Sequence, residues 1–358
     1  MTHGLARAAQ DSDHSASTGE ENRETVVSTS RCSSNPRFLV LLGIGLLLVL
    51  CLVSICVGVA DFHLGDLLSG GSGGESLHLF MISRLPRTLA AVLSGTGIAV
   101  AGAVMQMSVR NRFVSPTTAG TSQFALAGLL LVGLAAPGMS VMGKMIVASV
   151  CALAGSGIFL WLLHLLPSQR TSTDVTVPLI GLMLGGVVEA GTTFVAWRYD
   201  LLQSLGSWTA GDLSHILAGR YELLWVVAFL ALLLYLAADR LTVASLGEDA
   251  TTSLGLNYRG TVNLAIMTAA IMTAVSVVVV GVLPFLGLVV PNVVSRLAGD
   301  NLRRSLPVIA VGGAGLTLGC DIIGRLVRYP YEVPLAVVIG LIGSGIFIVL
   351  ILRGVDRG

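Results

Sequence analysis

The chain has 358 residues, 54% of them hydrophobic and 11% charged, with a formal net charge of +1 and a mean hydropathy of +0.86. Soluble domains carry about 25% charged residues, so this composition excludes an ordinary water-soluble fold and points to a polytopic membrane protein. A nearly neutral chain also lacks the clustered basic surface that phosphate binding needs, which excludes nucleic acid as a partner.

Residues 1–36 are polar and Ser/Thr-rich, with mixed charges and too little apolar surface to fold alone. This tail is predicted to be disordered and cytoplasmic, with 37–358 as the transmembrane domain. The first apolar run, Phe38–Ala60, lies too far from the start for a signal peptide and is long enough to remain as an anchor. A crossing of a hydrocarbon core about 30 Å thick needs roughly 20 apolar residues. That rule predicts helices over Phe38–Ala60, Pro86–Val109, Thr117–Ala136, Gly143–Leu166, Val175–Trp197, Glu222–Ala238, Thr261–Leu283, a shorter Phe285–Leu297, Leu306–Ile323 and Val333–Leu352. The fold class is therefore all-α, with about ten transmembrane helices.

Between the sixth and seventh helices lies one short polar stretch, Leu246–Leu256, which holds Gly247, Glu248, Asp249, Ala250 and Leu254 and reaches Gly255, a residue suited to a helix C-terminus. It is too short and too polar to span a bilayer and reads as a handle for another protein. The basic residues orient the chain. With the N-terminus inside the cell, most fall on the cytoplasmic side of the cell membrane, among them Arg110, Arg112, Arg240, Arg259, Arg303 and Arg304, and both termini lie in the cytoplasm. The handle then lies in the cytoplasm too. Arg84, Arg87, Arg325 and Arg328 are exceptions at the outer ends of distant helices, an arrangement suited to an acidic partner or to snorkelling toward lipid phosphate.

Several motifs invite chemistry and also have plainer readings. Gly138–Met145 nearly spells a phosphate-binding loop, but Met145 stands where the magnesium-binding hydroxyl belongs; the chain is not expected to hold ATP itself. Gly155-Ser156-Gly157 and Gly343-Ser344-Gly345 could suggest an intramembrane serine hydrolase, yet His164 lies about 12 Å along the axis from Ser156, beyond reach of a general base. Small-residue packing, as in Gly181–Gly185 and Gly315–Gly319, accounts for such runs. Glu189 sits mid-span, where a charge is costly unless it is paired or faces water, and both a pathway role, including proton coupling in a secondary transporter, and a helix-tethering role stay open. Asp321 and Arg325 are spaced to pair on one helix face. The cysteines Cys32, Cys51, Cys56, Cys151 and Cys320 show no C-x-x-C spacing and read as small buried hydrophobes, with no metal site or disulfide.

Arg84-Leu85-Pro86-Arg87-Thr88-Leu89 with Gly95, Gly97 and Gly102–Gln106, then Gly281–Pro291, Asp321–Arg325, Glu332-Val333-Pro334 and Gly340–Gly345, resemble in order the permeases of iron-siderophore, haem and cobalamin ABC importers. The likeness runs from about Phe38 to Arg353. It implies a ten-helix subunit that pairs with a second permease, alike or different, around a central pathway. ABC ATPase subunits holding ATP and Mg would sit below, and an extracytoplasmic siderophore-binding protein above. By the same resemblance Gly247–Leu256 is the coupling helix gripped by the ATPase, Arg84, Arg87 and Arg325 face acids of the binding protein, and Thr173 and Asp174 in the cytoplasmic turn form a gate. Asn111–Thr121, Gly211-Asp212, Gly219–Glu222 and Arg328–Glu332 look most like the catecholate branch, of petrobactin or anguibactin type, with cobalamin or haem import as the alternative. Asn292 stands where many members carry His, so any role of that His does not transfer.

Overall fold

The computed structural model describes residues 36–57, 80–117, 119–165, 173–219, 221–299, 301–328 and 331–355. The predicted tail, with Cys32, lies outside these apart from Pro36, as do residues 166–172 just before Thr173. In chain order the helices are α1 (Pro36–Cys56), a π-helical turn (Phe80–Arg84) continuing into α2 (Leu85–Ser108), α3 (Thr121–Ala135), α4 (Val141–Leu165), α5 (Thr173–Arg198), α6 (Leu202–Thr209) and α7 (Leu224–Leu236). They continue as α8 (Ala238–Ala244), α9 (Glu248–Ser253), α10 (Tyr258–Val280), α11 (Leu286–Ala298), α12 (Leu302–Val327) and α13 (Leu335–Val355).

Among the described residues, seven helices are long and apolar enough to cross a bilayer, α7 and α8 are so only when taken together across a 62° bend, as a broken span or a re-entrant loop, and α3 and α11 are shorter apolar helices. These coincide with the predicted segments. The sixth differs in shape, because its apolar run ends at Leu236: α8 turns aside there, burying Ala238, Leu241 and Ala244 while Asp239 and Arg240 stay exposed. At about 1.5 Å per residue, the 13 residues of α11 reach only some 20 Å. The stretch from Gly281 to Phe285 separates it from α10; both of these residues have positive φ, 98° and 60°.

Helix α2 is the axis of the bundle, buried from Thr88 through Gln106 on most of its surface. Its composition explains this position. Lipid tails give apolar side chains no drive to leave them, so helices associate through close packing of small residues. Gly95 faces Gly313 and Thr317 of α12, Gly97 faces Val227 of α7, and Gly102 lies against Gly287 of α11. A Cβ on Gly102 would overlap the Gly287 carbonyl, and one on Gly287 would meet the Ile98 carbonyl oxygen at 3.0 Å. Gln106 completes this crossing by donating to the Gly287 and Leu288 carbonyls at 3.3 and 3.4 Å. Gly102→Ala is therefore expected to destabilise the protein by about 3 kcal/mol, read as a lowered melting temperature in detergent. A matched Gly315→Ala variant should change little, since a Cβ there meets nothing within 4 Å.

That last fact corrects the packing expectation for Gly315–Gly319. Within the protomer both of these glycines face open space, and Gly313 makes the close approach instead, because it is the one turned toward α2. Gly185 does pack, beside Gly120 and Gln123. Cys56 is exposed rather than buried, since the inner side of the last turn of α1 is taken by Ser54, whereas Cys320 is buried and Cys51 and Cys151 are half-buried.

Candidate functional sites at the two ends of the bundle

One end is organised around α9. Gly247 caps this helix with φ 113° and ψ 171°, a conformation open to glycine. Thr251 is fully buried, and its Oγ1 donates toward the Gly247 and Val243 carbonyls at 2.6 and 3.1 Å, fastening α9 to α8. The helix stops in a Schellman motif: Leu256 N–H bonds the Thr251 carbonyl at 3.1 Å, Gly255 N–H bonds that of Thr252 at 2.9 Å, and Gly255 takes φ 78°. Glu248, Asp249, Thr252 and Ser253 are exposed, Ala250 is half-buried, and Leu246 and Leu254 project as exposed leucines on either side. Glu248 pairs with Arg259 at 3.2 Å, both well exposed, a contact of small energy in water. The result is a short knob held by its inner face, with two carboxylates and two leucines turned outward.

Arg110 leans on this knob. Helix α2 ends in a second Schellman motif, with Asn111 N–H to the Gln106 carbonyl at 2.9 Å and Arg110 N–H to that of Met107 at 3.2 Å. The left-handed position, φ 55°, is held by Arg110 rather than glycine, at a conformational cost of about 1 kcal/mol. Its guanidinium lies 3.2 Å from where a Cβ on Gly247 would stand. Arg110, Gln106, Asn292, Ser245 and Ser305 line a cavity of about 270 Å³ beside the knob. Asn292 donates to the Arg112 carbonyl at 3.0 Å and to that of Leu288 at 2.7 Å, tying the loop after α2 onto α11.

The opposite end of α2 carries the arginines. Arg87 Nη2 lies 2.8 Å from Asp321 Oδ1 and its Nη1 2.9 Å from Glu332 Oε2. Arg325 pairs with the other oxygen of Asp321. Arg325 also donates to the Ser54 and Val57 carbonyls at 2.9 and 2.8 Å and to Ser54 Oγ at 2.7 Å, and Ser54 reaches Thr88 at 3.2 Å. Two guanidinium groups and two carboxylates thus bind α1, α2, α12 and the segment before α13 together. Asp321 and Arg325 are only 3% and 7% exposed, Arg87 15%. Arg84 Nη1 donates to the Ile55 carbonyl at 2.5 Å, a turn away on the same face of the bundle. The structure therefore gathers the three predicted arginines, and among the described residues Arg87 and Arg325 face carboxylates of their own chain.

Glu189 is exposed on α5 and lines a cavity of about 230 Å³ with Gln123, Thr192, Thr193 and Thr209. It forms no hydrogen bond or ion pair with another described residue. Thr173 and Asp174 open α5, but their side chains lie outside the described residues. Ser156 Oγ pairs with Thr121 Oγ1 of α3 at 3.1 Å and donates to the Ala152 carbonyl at 3.1 Å, linking α4 to α3, and Ser344 donates within its own helix to the Leu341 carbonyl at 3.1 Å.

Residues 46–353, spanning the bundle and both of these ends, match the FecCD transport family. The chain belongs to that family. This FecCD protein is 42% identical over 308 residues to a petrobactin import system permease protein of Bacillus subtilis (strain 168), covering 86% of this chain and 96% of the relative. It is 38% identical over 272 residues to a ferric-anguibactin transport system permease protein of Vibrio anguillarum (strain ATCC 68554 / 775), covering 76% and 86%. Its fold is that of a metal-chelate type ABC transporter solved in an inward-facing conformation, with a TM-score of 0.75 at 23% identity, covering 89% of this chain and all of the other.

Three participants escape a reading of the FecCD sequence by itself. Glu332 and Ser54 join the arginine network across 245 and 271 residues of separation, and no local spacing announces such contacts. Arg110 carries a weak signal: a cation follows a long apolar helix directly, where glycine is the common stop.

Proposed function

We propose that this FecCD protein is the permease subunit of an ABC importer that carries ferric siderophore, of catecholate type, across the cell membrane into the cytoplasm. Near full-length identity to permeases named for petrobactin and ferric-anguibactin import carries this reading. ATP and Mg are held by separate ATPase subunits in the cytoplasm, where both termini lie. A siderophore-binding protein docks on the outer face, and a second permease subunit, identical or similar, completes the pathway within membrane lipid.

In this reading α9 is the coupling helix. Gly247 and Gly255 let the chain enter and leave a six-residue helix sharply, Ala250 and Thr251 seat it, and Glu248, Asp249 and Leu254 meet the ATPase. Motion of the knob reaches Arg110, and through it the end of α2, the helix around which the bundle packs. Glu189 borders the pathway, and Thr173 and Asp174 stand at its cytoplasmic gate.

The outer arginines receive acidic groups of the binding protein, in contacts that set orientation and rate more than affinity. Arg84 is the residue that tests this. Reversing Arg87 or Arg325 would also leave Asp321 unbalanced inside the protein, so lost uptake would not distinguish docking from folding. Arg84→Glu is expected to lower siderophore uptake about tenfold, a loss of about 1.4 kcal/mol in docking. The binding protein alone should keep its siderophore affinity, and the melting temperature of the permease in detergent separates lost docking from loss of the Arg84 bond to Ile55. Unchanged uptake would remove Arg84 from docking, and uptake that persists without the ATPase subunits would overturn the importer reading.

A further inference from the structure

We propose that the cleft between α2, α7 and α12 is a phospholipid site, holding part of an acyl chain between the helices and an anionic headgroup at Arg303. The placement of that headgroup in the cytoplasmic leaflet rests on the orientation proposed above. The existence of the site requires only that these helices span the bilayer.

The cleft holds about 300 Å³ and is lined by Val100 of α2, Ala231, Leu232 and Tyr235 of α7, and Leu306, Pro307 and Ala310 of α12. Apart from the tyrosine hydroxyl, every lining side chain is hydrocarbon. A cavity of that character gives water no partners and does not hold it, so in a membrane its natural occupant is lipid chain. Leu232 at its edge is 55% exposed, leaving a path from the lipid. The opening has a sequence cause: Ala231 and Ala310 present only methyl groups where Leu or Phe would close the gap.

All three helices place the cleft toward one end of the bundle. Val100 lies eight residues before the end of α2 and Ala310 eight residues after the start of α12, each about 12 Å along the axis at 1.5 Å per residue. Tyr235 is in the last turn of α7. In a core about 30 Å thick, Val100 and Ala310 lie toward the inner end of a single leaflet, while Leu306 and Tyr235, nearer their helix ends, carry the cleft toward the headgroups.

The mouth is charged and aromatic. The Arg303 guanidinium stands 4.9 Å from the Tyr235 ring centre and its Nη1 bonds Asp239 Oδ2 at 3.0 Å. That bond uses one of five N–H donors, which fixes the group at the mouth and leaves donors for a phosphate. Arg240 and Arg304, both exposed, neighbour this pair in sequence, so the two helix ends carry three arginines and one aspartate here. Basic pockets between transmembrane helices, with tyrosine at the interface, are suited to anionic headgroups. The acyl chain itself gains only packing, because lipid is as apolar as the cleft; selectivity must come from the headgroup.

The test is native mass spectrometry of the full-length permease in detergent with equal palmitoyl-oleoyl phosphatidylglycerol and phosphatidylcholine. The protein should retain one phosphatidylglycerol most tightly, with a preference of about five- to tenfold. Arg303→Ala with Arg304→Ala should abolish the preference while lipid is still retained, and Ala310→Phe, which fills the cleft and leaves the charges, should abolish retention. Equal retention of the two lipids by the unaltered protein, or retention unaffected by both variants, would overturn the proposal. Displacement by millimolar inorganic phosphate as effective as by the lipid would assign the site to a free anion and overturn it equally.

Discussion

Asp321→Ala is expected to destabilise the protein by about 3–5 kcal/mol, the range for removing one partner from a buried ion pair. Asp321 is 3% exposed and is the carboxylate shared by both guanidinium groups. Among the described residues its loss leaves Arg87 with Glu332 alone and Arg325 with no paired acid, so two cations confront each other away from water. Desolvation is the dominant effect, since the attraction lost is large only because the groups are buried. The measurement is the melting temperature and the folded fraction on size exclusion in detergent. Glu332→Ala should cost much less, because Glu332 is 26% exposed and water can replace part of its contact. Asp321→Leu combined with Arg325→Met should recover much of the single-mutant loss, because apolar replacement of a whole buried pair is often close to neutral. A loss below about 1 kcal/mol for Asp321→Ala, the level of a surface pair, would show that the cluster is wet and loosely held.

Reversal of both acids on the knob, Glu248→Lys with Asp249→Lys, should act on assembly and not on folding. Both side chains are exposed, and the helix is fastened from its other face by Thr251. The expected results are loss of ATPase co-purification, at least tenfold lower ATP-driven uptake, equivalent to about 1.4 kcal/mol per tenfold, and an unchanged melting temperature. Thr251→Val should give the opposite pattern, since it keeps the outward face and loosens the seat on α8, lowering coupling together with local protection from hydrogen exchange. Intact co-purification and uptake in the double reversal would exclude these carboxylates from the ATPase contact.

The helical segments and the α9 knob were legible in the sequence because each depends on local composition. Twenty or so apolar residues have no soluble alternative, and a polar helix with glycines at both ends carries its own start and stop. The arginine end was only half legible. The spacing of Asp321 and Arg325 on one helix face showed a pair, and Arg84 and Arg87 announced a basic outer end. That Arg87 would share Asp321 with Arg325 was invisible, since it depends on where α2 and α12 cross. The glycines divide in the same way: Gly313 and Gly315 read alike, and only the direction in which α12 turns toward α2 separates a crossing point from an open surface.

The sequence by itself determined which stretches enter the membrane, where the polar interruption stands and the family of the chain, because hydropathy and ordered motifs are properties of contiguous residues. Tertiary structure decided which charges are spent inside the protein, that Arg110 bears on Gly247, and that small side chains on α7 and α12 leave a cleft beneath Arg303. Those outcomes follow from helix crossings set by close packing of small residues, which bring together groups hundreds of residues apart and leave no trace in local pattern.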